Sequence, residues 1–155
     1  MGITLKQLIY YIDQGNGHFE PFYEYMATTV GLDEFYARQL CTYFIIRGTQ
    51  FERISNEMDG DVEVLVLKEM GRNLSGENEQ NFRGKGIHIE FRSPNERENY
   101  QLLSRIPCET HFEVIRYLIK GIVDVPAIGQ MLVTSTEIDE DRGVYVIYVT
   151  DLKVS

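Results

Sequence analysis

At 155 residues, 43 % hydrophobic and 25 % charged, the chain can build one sizeable core, and its composition excludes a disordered or low-complexity protein. No run approaches the roughly 18 apolar residues of a membrane-spanning helix, and Met1-Gly2-Ile3-Thr4-Leu5-Lys6 lacks the basic flank and apolar stretch of a secretory signal, so a soluble, cytoplasmic protein is expected. The net charge of −9 sits mainly in residues 1–80, which carry 6 Lys and Arg against 13 Asp and Glu, while residues 81–155 carry 9 against 11.

In chain order, Ile3, Leu5, Leu8, Ile9 and Ile12 have helical spacing, and Gly15-Asn16-Gly17 ends that predicted helix. Phe19 to Val30 continues the period through Phe22, Tyr23 and Met26, with Gly31 as a C-terminal stop. A third helix is predicted over Asp33–Arg47, its first turn holding Asp33 and Glu34 where the helix dipole favours negative charge, and Gly48 closes it. Residues 50–58 predict a short fourth helix. Val62 to Leu67 fits either period, and its β-branched content favours a strand. Gly71 to Gly86 is polar and long for a connection, which suits a linker, a mobile loop or a binding loop.

Beyond that loop, Ile87, Ile89 and Phe91 alternate with His88, Glu90 and Arg92 and predict a half-buried strand. A short helix over Asn95–Ser104 and a longer one over Glu109–Ile122 follow. Met131–Ile138 and Val144–Val149 then form a hairpin around Asp139–Gly143. The expected fold is α+β: an N-terminal helical lobe of three to four helices, then a small, mostly antiparallel sheet with one or two helices and a C-terminal β-hairpin. A single domain over 1–155 is expected, with an acidic helical lobe at 1–70 and an α+β lobe at 87–155 joined by loop 71–86. No internal repeat is visible. Cys41 and Cys108 read as reduced, buried thiols.

Three patterns bear on chemistry. His88-Ile89-Glu90 followed by Pro107-Cys108-Glu109-Thr110-His111 resembles the zinc nucleobase deaminase pattern, with His111 in place of its second Cys. That resemblance implies His88, Cys108 and His111 as zinc ligands and Glu90 as the acid/base of a zinc-dependent enzyme. Met26 to Leu32 has the Ala-x3-Gly spacing of a helix-turn-helix, giving a degenerate unit over about 22–47 and a regulatory protein, such as one from a phage or mobile element. Its leading residues Asp33 and Glu34 repel phosphate, and the basic residues Arg83, Lys85, Arg92, Arg97 and Arg105 are interleaved with glutamates, so direct nucleic-acid binding is not expected. Asp59-Gly60-Asp61 and Asp139-Glu140-Asp141 read as turn chemistry.

The preferred reading is an acidic protein-interaction module, an inhibitor or immunity-type protein whose partner is basic and handles nucleic acid, such as a nuclease. Glu20, Tyr23, Glu24, Asp33, Glu34, Asp59 and Asp61 are the candidate contact residues, within an acidic surface that also counts Asp13, Glu57 and Glu63. This reading needs no cofactor, catalytic residue or membrane, and leaves homo-oligomerisation open.

Overall fold

Asn16-Gly17 decides how the chain begins. Both residues have positive φ, 54° and 75°. In a two-residue loop that conformation makes the tight turn whose twist matches a pair of antiparallel strands. The same positive φ ends helices, which is why glycine there also fits a helix stop. Here it joins β1 (Gln7–Gly15) to β2 (His18–Met26), and Leu8, Tyr10 and Ile12 are buried at every second position. Arg47-Gly48, with φ of 52° and 75°, does the same between β3 (Tyr43–Ile46) and β4 (Thr49–Asp59).

The computed structural model describes residues 6–26 and 31–152. The remaining elements are α1 (Leu32–Leu40), β5 (Val62–Arg72), β6 (Ile87–Arg92), β7 (Leu102–Cys108), α2 (His111–Leu118), β8 (Ile122–Val125), β9 (Gly129–Asp139) and β10 (Val144–Asp151). The protein is therefore mostly β, and the expected helical lobe is absent from the described residues. Predicted helices over 3–13, 19–30 and 50–58 are strands β1, β2 and β4, and Asp33–Arg47 divides into α1 and β3. Ile3, Leu5 and the Ala27–Val30 end of the second predicted helix, which includes the alanine of the Ala-x3-Gly spacing, lie outside the described residues. The expected helix-turn-helix over 22–47 has a strand where its first helix should be and only nine residues of helix in its second. Asn95–Ser104 holds a 3₁₀ turn at Glu96–Glu98 and the start of β7, whereas β5, β6, the helix at α2 and the β9–β10 hairpin match their expected type.

One sheet runs in the order β2-β1-β5-β4-β3-β9-β10-β6-β7, with β8 also pairing β9. Its parallel pairs are β1 with β5, β3 with β9 and β10 with β6. The edge strands β2 and β7 carry Pro21 and Pro107, which remove a donor from each edge. Helices α1 and α2 pack together, and Phe35, Ala37, Val114 and Leu118 join the strand residues Leu8, Tyr10, Leu65, Leu67, Ile89, Phe91 and Ile147 in one core.

The path is a duplication. Each half is a hairpin, a helix and a three-strand meander whose last strand runs parallel to its first. The registers correspond as well: Tyr10 pairs with Tyr23 and Leu65, as Phe91 pairs with Ser104 and Ile147. Leu65 pairs with Asn56 as Ile147 does with Thr136, and Phe44 pairs with Phe51 as Val123 does with Met131. Equivalent residues thus keep a near-constant separation along the chain although their identities differ.

Loop 73–86 covers the opposite sheet face in the second half. Phe82 packs on Val144, Val146 and Tyr148. Beside it Glu90, fully buried, accepts hydrogen bonds from Arg92 Nε at 2.8 Å, Arg105 Nη2 at 3.0 Å and Arg142 Nη2 at 2.9 Å. Arg92 Nη1 and Arg142 Nη1 donate in turn to the carbonyls of Glu77 and Gln80, tying the loop to the sheet.

Candidate functional site: the two sides of helix α1

The helix α1 turns Phe35 and Ala37 into the core and leaves a concavity on each flank. Toward the second half, a cleft of about 670 Å³ is lined by Tyr23, Tyr25, Glu34, Arg38, His111 and Glu140 among others. Arg38 is its organiser. Its guanidinium pairs with Glu140 and, at 3.1 Å, with Glu34, donates to Tyr10 Oη at 3.2 Å and lies 4.3 Å from the Tyr25 ring centroid. Tyr25 Oη donates to the same Glu140 carboxylate. Burial, aided by Glu140, raises the Tyr25 phenol well above its ordinary range, so it stays a donor. His111 Nε2 stands 3.3 Å from Glu34 Oε1, yet burial outweighs that carboxylate and lowers the imidazole pKa. The cleft is a mixed-charge site in which Glu34 and Glu140 both pair with Arg38, while Glu140 Oε2 and Arg38 Nε have no hydrogen-bond partner.

The other flank is a shallower notch of about 340 Å³ between α1 and the far end of β4–β5. Its walls are Tyr36 and Leu40 from α1 and Glu57 and Met58 from β4; Met58 is 77 % exposed and Tyr36 42 %. Its floor is polar. Gln39 and Glu63 are each only 5 % exposed, Gln39 Nε2 donates to Asn56 Oδ1 at 2.9 Å and to Glu63 Oε1 at 3.4 Å, and both Gln39 Oε1 and Glu63 Oε2 lack a hydrogen-bond partner. Lys6 Nζ lies 4.0 Å from Glu63 Oε2, beyond hydrogen-bond reach. Two bare buried acceptors cost about 1–3 kcal/mol each.

The structure distributes the residues singled out from sequence. Tyr23, Glu34 and His111 meet in the cleft, where Tyr23 stacks on Tyr25 with centroids 6.0 Å apart and lies under Arg47. Glu20 and Glu24 are exposed on edge strand β2, Glu24 accepting from Gln7; Asp33 is exposed on α1, and Asp59 and Asp61 flank Gly60 at the β4–β5 turn. Glu63, counted with the surface acids, is instead buried. The deaminase-like residues do not converge. Cys108 pairs with Ile87 and shares its sheet face, so His88, the next residue, points to the other face, where its ring lies 4.4 Å from that of Phe82. Among the described residues no group of three or more His, Cys, Asp or Glu side chains could hold a metal ion. Glu90 is not placed for proton transfer: burial pushes its pKa up, but the hydrogen bonds from Arg142 and Arg92 win and hold it at about 2. No helix among the described residues is long and apolar enough to cross a membrane.

Tyr36, Gln39 and Met58 are the residues that reading the sequence misses. Gln39 follows Phe35 by four positions, which puts a polar side chain on the buried stripe of α1, and that is the signal that marks it. No protein-family model, curated protein or solved structure matches this chain.

Proposed function

We propose that this protein is an acidic protein-interaction module that binds a basic protein partner through the outer surface of its first half, formed by α1 and the β4–β5 hairpin. The observation that carries this reading is the notch, where exposed Tyr36 and Met58 offer apolar contact area directly above unpartnered acceptors, with Glu57, Asp59 and Asp61 in the same hairpin and Asp33 one turn before Tyr36. Such a surface attracts cations from a distance and has acceptors for them on arrival. The biological form that fits is an inhibitor or immunity-type protein occupying the phosphate-binding surface of a nucleic-acid-handling partner. The free thiols Cys41 and Cys108 suit a reducing, cytoplasmic setting.

Affinity capture from cells of the natural source, with and without the combined reversals Asp33→Lys, Asp59→Lys and Asp61→Lys, tests this. The expected result is one basic protein retained stoichiometrically at low salt, weakened at moderate salt and lost with the reversed variant. Retention that is indifferent to the reversals, or no retained protein, overturns the reading.

A further inference from the structure

The duplication supplies an internal control for the notch. Glu63 pairs with Leu8 and Met58, and the residue in that place in the second half is Tyr145, which pairs with Ile89 and Ile138. Gln39, the last buried residue of α1, corresponds to Leu118, the last buried residue of α2, each lying four positions after the fully buried Phe35 or Val114. Leu118 and Tyr145 are 7 % and 4 % exposed, close to the 5 % of Gln39 and of Glu63. The second half thus fills these two positions with an aliphatic and an aromatic side chain, Tyr145 lying at the floor of the cleft beside His111. The third member departs too, since Ile138 is buried at 4 % and its counterpart Met58 is 77 % exposed. In the first half all three have been turned from core into a polar-floored, open notch.

We infer that this notch is a receptor for a single arginine side chain of the basic partner, whose guanidinium donates to Gln39 Oε1 and Glu63 Oε2 while its stem lies along Tyr36 and Met58. This rests on the binding reading above. Arginine fits the chemistry better than lysine, because a planar guanidinium offers five donors to two separate acceptors, packs against aromatic and thioether surface, and sheds water more readily than an ammonium. Asn56 and Glu57 complete the rim. Among the described residues Lys6 is the cation paired with Glu63, and at 4.0 Å it leaves Oε2 without a hydrogen bond, while Arg53 donates to the Gln39 carbonyl and leaves the side-chain Oε1 unpartnered.

The test is a titration of the isotope-labelled protein with N-acetyl-arginine amide, followed by NMR at the Gln39 side-chain amide, the Met58 methyl and the backbone of residues 36–40 and 56–63. N-acetyl-lysine amide and N-acetyl-leucine amide serve as controls. Saturable shifts confined to the notch are expected for arginine, with binding about tenfold or more weaker in Gln39→Leu and in Glu63→Gln. Glu63→Gln keeps the shape and removes the charge, so a folding defect in the other variant does not decide the result. Scattered or absent shifts, equal response to the lysine probe, or unchanged binding in both variants overturns the inference. Partner capture that survives both substitutions and is lost on reversal of Asp33, Asp59 and Asp61 overturns the arginine site alone, whereas capture indifferent to those reversals overturns the surface reading.

Discussion

The buried carboxylate at the centre of the second half, Glu90, is paired on both oxygens, while the buried Gln39 and Glu63 of the first half each keep an acceptor without a hydrogen bond. Glu90 lies under the loop 73–86 with three arginines donating to it, and Arg142 also donates to Asp139 Oδ2 at 2.8 Å. Gln39 and Glu63, equally buried, keep one bare acceptor each. The two halves share a chain path and a register, so the backbone does not dictate this difference. A paired charge in the interior is a structural fastening, and an unpaired acceptor at the bottom of an open notch is a place for something else to bind.

The comparison breaks most severely at the fastening. Removing Glu90 strands the buried Arg92 with only backbone carbonyls to donate to and leaves Arg142 to Asp139 and Glu79, and deleting one member of such a buried set costs about 3–5 kcal/mol. Glu90→Ala should therefore lower stability by that amount in denaturant unfolding, far more than Glu20→Ala or Glu24→Ala on edge strand β2. A loss below about 1 kcal/mol for Glu90→Ala means that solvent or the loop carbonyls replace the carboxylate.

Neighbouring acids in this half should also give slopes of opposite sign in a pH profile. The carboxyl of Glu90 is held at about 2, below its ordinary 4.5, so the stability that it contributes is present above pH 4.5 and is lost as pH falls toward 2. Burial, reinforced by Asp139, pushes the Glu137 carboxyl up to about 8, and Tyr148 Oη donates to it at 3.3 Å. Between pH 4.5 and 8 the unfolded chain releases the Glu137 proton and the folded chain keeps it, so stability should fall as pH rises through that window. Glu137→Gln should flatten this descent and leave the acid limb in place, which unfolding midpoints measured from pH 3 to 9 would show. A descent that persists in Glu137→Gln assigns it to Asp139, whose carboxyl burial also raises.

How much of this was legible in the sequence also divides at the loop. In the second half, Ile87, Ile89 and Phe91 alternate cleanly, Phe112, Ile115 and Leu118 keep helical spacing, and the β9–β10 hairpin is marked by β-branched runs around an acidic turn. In the first half Leu8, Ile9 and Ile12 satisfy the helical period and Leu8, Tyr10 and Ile12 the strand period at once, and only tertiary pairing with β5 decides between them. Asn16-Gly17 and Arg47-Gly48 reinforced the error, since positive φ serves a helix stop and a two-residue hairpin equally. The duplication is silent in sequence because equivalent sites such as Tyr10 and Phe91, or Glu63 and Tyr145, preserve burial and register while changing chemistry. Tyr23 and Glu34 were recognisable as surface candidates, but their internal engagement with Tyr25, Arg38 and His111 depends on contacts far apart in the chain.

Exchanging the equivalent residues sharpens the contrast. Leu118→Gln places an amide among apolar neighbours in the second half and should cost at least about 2 kcal/mol from lost packing and unmet hydrogen bonds. The reverse exchange, Gln39→Leu, removes a bare acceptor and adds apolar packing but takes the Nε2 donor from Asn56 and Glu63, so the terms offset and stability should change by less than about 1 kcal/mol, although the notch floor is abolished. Thermal unfolding of the two variants side by side checks the asymmetry. A destabilisation of Gln39→Leu as large as that of Leu118→Gln means that the amide is there for the fold, through its bonds to Asn56 and Glu63, and not for a ligand.

The smallest effect on stability is expected at Lys6. Its ammonium is 4.0 Å from Glu63 Oε2, its side chain is one-third exposed, and partly exposed pairs of this length contribute about 0–1 kcal/mol. Lys6→Ala should therefore shift the unfolding midpoint little, while removing the cation that, among the described residues, pairs with the notch carboxylate. Binding of N-acetyl-arginine amide should then tighten, and its dependence on salt should steepen, because Glu63 is left with no ion-pair partner among the described residues. Weaker binding in Lys6→Ala would give the side chain the opposite role, one of holding the Glu63 carboxylate in position for its ligand.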